Sequence, residues 1–284
     1  MKHTLFQIPI VAIGLFISSC AGNKSTGGGS AQPDTNTPAT TATVNVKEEP
    51  VSYTADGVTL AGFIAYDENA QGRRPLVLVV PEWWGLTDYP RLRAKMLAQL
   101  GYVAMAVDMY GGGKVAANPQ EAQELAIPFY QDPQLAKTRL EAALVKAKSL
   151  ARVDTARSAA IGYCFGGYVA LNAAKLDADF DGVVSFHGSL AGVRPGKDLL
   201  KAKILVCHGG ADGFVPPAEV ATFRKGLDSI GADYQFVVYP EATHAFTNPD
   251  ATENGKKFNM PIQYNAAADS ASWRDMKAFF TRIF

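Results

Sequence analysis

The sequence predicts an α/β fold with a doubly wound, mainly parallel sheet and helices on both of its faces. Short apolar runs such as Leu76–Val80 are typical of strands that are buried on both faces. Segments with helical spacing of apolar residues separate these runs, as in Thr87–Leu100. Because strands that alternate with helices form parallel βαβ units, the order of these segments predicts the fold class.

The individual elements follow from local signals in chain order. Asp56-Gly57 between two apolar runs predicts a hairpin, and Gly101 ends the first helix. The predicted strands are 51–55, 58–66, 76–80, 102–108, 159–162, 182–186, 204–208 and 234–239. The predicted helices are 87–100, 119–130, 133–150, 168–175, 217–230 and 264–284.

A turn with a glycine on each flank follows the strand at 159–162 and reads Gly162-Tyr163-Cys164-Phe165-Gly166. A strand, a sharp turn that holds one nucleophile and a helix together form a nucleophile elbow. Glycine is needed at the flanks because a Cβ would obstruct the turn. The motif predicts that Cys164 is a catalytic nucleophile and that the backbone N–H of Phe165 faces a developing oxyanion.

Two further residues complete a catalytic triad in the chain order nucleophile, acid, histidine. Asp212 follows an apolar strand and a glycine-rich turn, and His244 follows the next strand. A free thiol has a pKa of about 8.5, so a positioned imidazole is needed to make the thiolate accessible. Asp212 is expected to fix the tautomer of His244. All three residues follow predicted strands, at the sheet edge where α/β active sites lie.

These residues resemble the dienelactone hydrolase family over about 53–284. The resemblance implies an α/β-hydrolase fold and a Cys-His-Asp triad that cleaves the enol-lactone ester of dienelactone. It implies that Glu82 contacts the resting thiol and swings away when substrate binds, and that the N–H of Trp83 is the second oxyanion donor. The supporting motifs are Pro81-Glu82-Trp83-Trp84-Gly85, Ala106-Val107-Asp108-Met109-Tyr110, Gly162-Tyr163-Cys164-Phe165-Gly166-Gly167, His208-Gly209-Gly210-Ala211-Asp212 and His244-Ala245-Phe246.

Trp84, Tyr110 and Phe246 lie in these motif loops and are predicted to line an aromatic substrate pocket, with core packing as the alternative. Family members that act on dienelactone are expected to hold its carboxylate with arginines near two of these loops. Neither region offers Arg here, and Lys114 supplies only a point charge. A broader ester, lactone or thioester is therefore the expected substrate.

Other candidate polar residues have structural interpretations. His187 is expected to be hydrogen-bonded in a structural role rather than to line the pocket, and His208 to order the loop of the acid. Cys207 lies within an apolar strand and is expected to be inert core. Asp108 precedes the nucleophile in the chain, which argues against it as the triad acid.

The N-terminus resembles a bacterial lipoprotein signal, because a basic start and an apolar run lead to Ile17-Ser18-Ser19-Cys20. We expect residues 1–19 to be the signal peptide, 20–48 a lipidated Cys20 with a flexible tether, and 49–284 the hydrolase domain. This predicts a membrane-anchored lipoprotein of the bacterial cell envelope that faces outside the cytoplasm. An ordinary signal peptide with an incidental cysteine is the alternative.

The composition argues against other classes of function. The chain has 27 basic and 27 acidic residues and no basic block, so no nucleic-acid partner is expected. Metal-binding and P-loop spacings are absent from the sequence, so no metal or other cofactor is expected. A small ester or lactone is the expected partner, with a monomer as the default. The alternative function is a non-catalytic binding module or a redox sensor that retains the fold and uses Cys164 as a peroxide-reactive thiol.

Overall fold

The computed structural model describes residues 43–284, which form one eight-stranded sheet and seven helices. The strands are β1 Val46–Ala55, β2 Val58–Asp67, β3 Arg74–Val80, β4 Val103–Ala106, β5 Val153–Tyr163, β6 Gly182–Phe186, β7 Lys203–Gly209 and β8 Tyr234–Tyr239. The helices are α1 Asp88–Gln99, α2 Pro119–Gln131, α3 Pro133–Lys148, α4 Phe165–Lys175, α5 Pro217–Ile230, α6 Ala251–Phe258 and α7 Ala266–Ile283.

The strand order β1-β2-β4-β3-β5-β6-β7-β8 confirms the predicted doubly wound sheet. β1, β2 and β4 pair antiparallel at one edge, and every pair from β4 to β8 is parallel. The chain places β4 on one side of β3 and then β5 on the other. This change of direction opens a crevice at the carboxyl ends of β3 and β5, where α/β proteins bind their ligands.

The central strand β3 is buried on both faces, as its continuous apolar sequence predicts. Leu76, Leu78 and Val80 point into a core that helices α2 to α5 cover. Val77 and Val79 point into a second core, which α1 and α7 cover. All five side chains are inaccessible to solvent. Because side chains pack tightly against both faces of this strand, its carboxyl end is a rigid support for the residues that follow it.

Several elements differ from the sequence-based bounds; strand β5, for example, begins at Val153 rather than at 159. Strand β1 begins at Val46, so the folded domain starts three residues before the predicted boundary at 49. The extension pairs Val46 with Asp67, and the Tyr66 hydroxyl donates to Glu49 at 2.7 Å. Helix α6 was not predicted, because its eight residues lack an apolar period and include Gly255.

The predicted signal peptide at 1–19, the lipidation site Cys20 and most of the tether lie outside the described residues. In the part of the chain from residue 43 onward, no helix is long and apolar enough to cross a membrane.

Candidate active site

The turn between β5 and α4 has the geometry of a nucleophile elbow. Cys164 has φ 53° and ψ −115°, a strained conformation for a residue with a side chain. A Cβ on Gly162 would collide with the carbonyl of Gly166. A Cβ on Gly166 would in turn collide with the carbonyl of Val80 and lie 2.6 Å from that of Pro81. The predicted need for glycine on both flanks is therefore confirmed.

The structure brings Cys164, His244 and Asp212 together at the crevice. Cys164 is half-buried and shares with His244 the wall of a cavity of about 280 Å³. Nδ1 of His244 lies 2.9 Å from Oδ2 of Asp212, and the other carboxylate oxygen accepts from the N–H of Phe214 at 2.9 Å. Because the acid engages Nδ1, Nε2 is the ring nitrogen left for the thiol.

The charges around His244 favour its protonated form. Burial acts to lower the pKa of its imidazole, but charge and hydrogen-bond interactions with Cys164 and with Asp212 outweigh burial. The pKa of His244 is therefore held well above its ordinary value. A protonated imidazole in this position can donate a proton to a leaving group.

Glu82 follows β3 directly and lies buried in the wall of the same cavity. Burial raises the pKa of its carboxyl group to about 7, against the opposing effects of the Asn248 amide and the His244 and Arg93 charges. Nδ2 of Asn248 donates to Oε2 of Glu82 at 2.6 Å. Within residues 43–284 this amide, and not the thiol of Cys164, is the side chain hydrogen-bonded to Glu82.

Two backbone N–H groups near the thiol have no acceptor. Neither that of Trp83 nor that of Phe165 donates a hydrogen bond to another group in the described part of the chain. Phe165 is the first residue of α4, so its N–H belongs to the positive end of that helix. The carbonyl of Trp83 accepts from the Tyr110 hydroxyl at 2.9 Å, which fixes the loop that carries its N–H.

The cavity wall contains only one of the three aromatic residues predicted for the substrate pocket. Trp84 lines it, whereas Tyr110 and Phe246 do not, and that part of the prediction was wrong. Tyr110 packs in the core between Phe129 and Phe165, because N–H bonds to Asp108 turn its loop inward. Phe246 is fully buried in the core on the other face of the sheet. Core packing, the alternative interpretation, applies to both.

Residues that the sequence did not assign to the pocket supply the rest of its lining. No Lys or Arg is among the lining residues from this part of the chain, and Lys114 is exposed elsewhere. The cavity therefore suits an uncharged, largely apolar group. The lining residues that the sequence did not indicate are Tyr130, Ser189, Phe214, Val215, Ala245, Met260 and Ile262.

His187 supports the elbow from behind, in the hydrogen-bonded role predicted for it. Its Nδ1 accepts from the N–H of Cys164 at 3.1 Å, so the ring proton lies on Nε2. Nε2 donates to Oγ1 of Thr247 at 2.7 Å, and that oxygen lies 2.6 Å from the Tyr89 hydroxyl. Burial, with the charges of His244 and Arg93, holds the pKa of His187 well below its ordinary value and keeps it neutral.

A buried ion pair anchors the loop that carries His244. Arg93 of α1 is only 3% exposed, and its Nη2 donates to the carbonyl of Thr247 at 2.7 Å and to Asp269 of α7 at 2.6 Å. The guanidinium thus joins two helices to the loop after β8. Substituting one member of such a buried ion pair by a neutral residue leaves the other charge without a counter-ion, which strongly destabilises the fold.

The remaining polar candidates are structural. The Asp108 carboxylate accepts from the N–H groups of Tyr110, Gly111, Gly113 and Ala61, so it shapes its own loop as predicted.

Cys207 and His208 lie on β7, away from the cavity lining. Cys207 is buried, and burial raises the pKa of its thiol to about 12, as expected of inert core. The ring of His208 packs on Phe236. The acid loop is held instead by the backbone bond from the Gly210 N–H to the Tyr239 carbonyl at 2.8 Å, a role that the sequence assigned to His208.

Comparisons with known proteins agree with the fold. The model of the dienelactone hydrolase family matches residues 60–284. Among curated relatives, the "Putative carboxymethylenebutenolidase" of Methylorubrum extorquens is 32% identical over 187 residues, which are 62% of this chain and 64% of that protein. The protein of the same name from Aquifex aeolicus is 32% identical over 204 residues, 70% of this chain and 86% of that one.

A solved structure is similar over nearly its whole length. It is a dienelactone hydrolase-like promiscuous phosphotriesterase from metagenomic libraries, 32% identical, with a TM-score of 0.80 over 84% of this chain and 99% of that one. The family match covers most of the chain, including the elbow and all the residues that line the cavity. The chain therefore belongs to the dienelactone hydrolase family and has its α/β-hydrolase fold.

Proposed function

We propose that this protein hydrolyses small esters, lactones or thioesters, with Cys164 as nucleophile, His244 as general acid and base, and Asp212 as the residue that orients His244. The observation that carries the proposal is the 2.9 Å contact between His244 and Asp212 on the cavity wall beside an elbow cysteine. A nucleophile, a base within reach and a third group that orients the base are the parts that covalent acyl transfer requires.

In the first half of the reaction, the thiolate of Cys164 attacks the carbonyl carbon after His244 has taken the thiol proton. The carbonyl oxygen becomes an oxyanion, which the free N–H groups of Trp83 and Phe165 stabilise by hydrogen bonds. As the tetrahedral intermediate collapses, the bond to the alcohol or thiol breaks and His244 protonates that leaving group. The product of this half is a thioester on Cys164.

In the second half, His244 takes a proton from water, and the resulting hydroxide attacks the thioester carbonyl. The same two N–H groups stabilise the second oxyanion. The bond to sulfur breaks, the carboxylic acid leaves and the thiol of Cys164 is restored with the proton from His244. A lactone follows the same steps, except that its leaving group stays attached to the acyl chain.

The cavity indicates an uncharged acyl group. Trp84, Phe214, Met260 and Ile262 supply apolar surface, and none of the lining residues from 43–284 is a Lys or Arg that could pair with the carboxylate of dienelactone. At about 280 Å³ the site lies at the small end of ligand cavities. Short acyl chains and small rings are therefore the favoured substrates.

The gate proposed for Glu82 requires its carboxyl group to leave Asn248 and turn to the thiol of Cys164. Both residues line the same cavity, which makes such a contact the one to test. When neutral, the carboxyl could donate a hydrogen bond to a thiolate. When ionised, it would repel one.

We further propose that Cys20 anchors the protein to the bacterial cell envelope. The support is the apolar run and the lipobox-like residues before Cys20. Membrane fractions of cells that express the wild type or Cys20→Ala test this, since lipidation predicts that only the variant is released to the soluble fraction. An unchanged distribution would contradict it.

The experiment for the activity compares the wild type, Cys164→Ala and Cys207→Ala. The substrates are short nitrophenyl esters, simple lactones, an acyl thioester, dienelactone and a phosphotriester, the last because the metagenomic relative is named for that activity. Cys164→Ala should lower kcat by ~10⁴ or more, as triad knockouts do. Cys207→Ala, which removes a buried thiol outside the cavity, should retain most of the activity.

Equal turnover by Cys164→Ala and the wild type would contradict the mechanism. No turnover by a wild type whose thiol is reduced would favour the binding or redox-sensing module instead.

A further inference from the structure

A second cavity lies on the side of helix α5 that faces the carboxyl end of α4. Its volume is about 710 Å³, and the loop at residues 190–195 forms one wall. Three cationic side chains and one carboxylate line it, so its charge is positive, in contrast to the cavity at Cys164. The charged residues that line it are Lys175, Arg194, Lys225 and Glu219.

Lys175 is an unpaired ammonium at the base of this cavity. The residue is 2% exposed, and no residue in 43–284 accepts a hydrogen bond from it. Its Nζ lies over the ring of Phe223, 5.0 Å from the ring centre. Burial lowers the pKa of Lys175 to about 8, while the charge of Glu219 acts to raise it. Lys175 is therefore still mainly cationic at neutral pH.

One carboxylate oxygen of Glu219 is already bonded to other donors. Its Oε1 accepts from the N–H groups of Leu190 and Ala191 at 2.6 and 3.1 Å, and from the hydroxyl of Ser189 at 2.9 Å. These bonds hold the loop, and within residues 43–284 no hydrogen bond joins the carboxylate to the ammonium of Lys175. An ammonium that borders such a cavity and is otherwise enclosed by protein is stabilised when an ion of opposite sign pairs with it.

The wall of the cavity is built independently of any ligand. The side chain of Asn172 accepts from the N–H of Val193 at 2.8 Å and donates to the carbonyl of Ala191 at 3.2 Å. Between them Gly192 has φ +105°, and a Cβ there would collide with the Asn172 amide. A loop fixed in this way gives a preformed site, which lowers the entropic cost of binding.

We propose that this cavity binds a small organic carboxylate, whose charged end pairs with Lys175 at the base while Arg194 adds positive charge at the rim. Leu190, Val193 and Phe223 supply apolar walls for the organic part of the ligand. The volume lies within the usual range for small-molecule sites. The site is distinct from the cavity at Cys164, and its existence does not depend on the proposed hydrolase activity.

The test is calorimetric titration of the full chain with acetate, hexanoate, succinate and benzoate. Hexanamide and benzamide are the neutral counterparts, and inorganic phosphate is the anion without an organic part. Lys175→Met keeps the length of the side chain without its charge. Lys197→Met, an exposed lysine beside the same loop that does not line the cavity, is the matched control.

We expect at least one carboxylate to bind the wild type with 1:1 stoichiometry and at least ~10-fold more tightly than its amide, as a charge-assisted contact provides. Lys175→Met should weaken that binding by ~10-fold or more, and Lys197→Met by less than about 2-fold. Should Lys175→Met not fold, Arg194→Gln is the second variant and should weaken binding by ~3-fold.

Four results would overturn the proposal. They are no binding by any carboxylate, equal binding of acid and amide, equal affinity in wild type and Lys175→Met, or binding of phosphate alone.

Discussion

The pH dependence of stability should reveal the buried carboxyl group of Glu82, and Glu82→Gln is the variant that isolates it. The pKa of Glu82 is raised from 4.5 to about 7 by burial, so the folded protein holds this proton more tightly than the unfolded chain. By linkage, the stabilisation that protonation provides is fully present below pH 4.5 and is lost as the pH rises through 7. Glutamine cannot ionise, but its oxygen can still accept from Asn248.

The size of the effect follows from the two pKa values. At about 1.36 kcal/mol for each pKa unit, they correspond to ~3 kcal/mol between acidic and basic pH. The substitution also has a pH-independent effect, because the new NH₂ group needs an acceptor in a buried place. Only the change of the stability difference with pH is therefore diagnostic.

Urea denaturation measures this difference, with tryptophan fluorescence as the signal because Trp83 and Trp84 adjoin the site. We expect the free energy of unfolding of Glu82→Gln, relative to the wild type, to rise by ~3 kcal/mol from about pH 4 to about pH 8. Glu124→Gln removes an exposed carboxyl group and is the control. A difference between Glu82→Gln and the wild type that stays constant over this range would refute the assignment of a raised pKa to Glu82.

Three further predictions concern the site and its supports. Gly166→Ala should lower the free energy of unfolding, measured in urea, by at least ~3 kcal/mol, because the added Cβ would collide with two carbonyl groups. The control Gly213→Ala has open space around it and should lower that free energy by less than ~1 kcal/mol. Equal losses in the two variants would contradict the close approach at Gly166. Asp212→Asn should lower kcat by ~10⁴. It should also shift the titration of His244, followed by NMR, to lower pH, because Cys164 would then be the remaining group of the two that raise its pKa; an unshifted titration would exclude Asp212 as a cause. The Cys207 thiol, with a pKa of about 12, should resist iodoacetamide in the folded protein and react with it in urea. Mass spectrometry would detect the labelling, and rapid labelling of the folded protein would contradict the burial of this thiol.

Local signals in the sequence were sufficient for the sheet and for the elbow. Glycines on both sides of Cys164 and the apolar strand before them are adjacent in the chain, so their meaning does not depend on distant contacts. Asp212 and His244 could be placed because each follows a strand, and parallel strands bring their carboxyl ends to one edge. The short helix α6 was not predicted because tertiary contacts, and not a periodic apolar face, stabilise it.

Side-chain direction and long-range polar contacts could not be predicted in the same way. Phe246 stands in a motif loop, but the sequence does not say that its ring points into the core. Arg93 and Asp269 are 176 positions apart, and in the sequence each resembles a solvated helix residue. Lys175 reads as an ordinary basic residue in the last turn of a helix. Its burial arises because α5 and the loop at residues 190–195 pack around it.

The geometry of the elbow restricts the residue type at Gly162 and Gly166 much more than the type of side chain at position 164. Gly162 and Gly166 cannot carry a methyl group without collision, while the side chain between them projects into the cavity. The backbone geometry of the turn and the identity of the nucleophile therefore depend on different codons. One codon at position 164 can exchange a thiol for a hydroxyl group without disturbing the turn, whereas a codon change at either glycine removes the geometry that any nucleophile there would need.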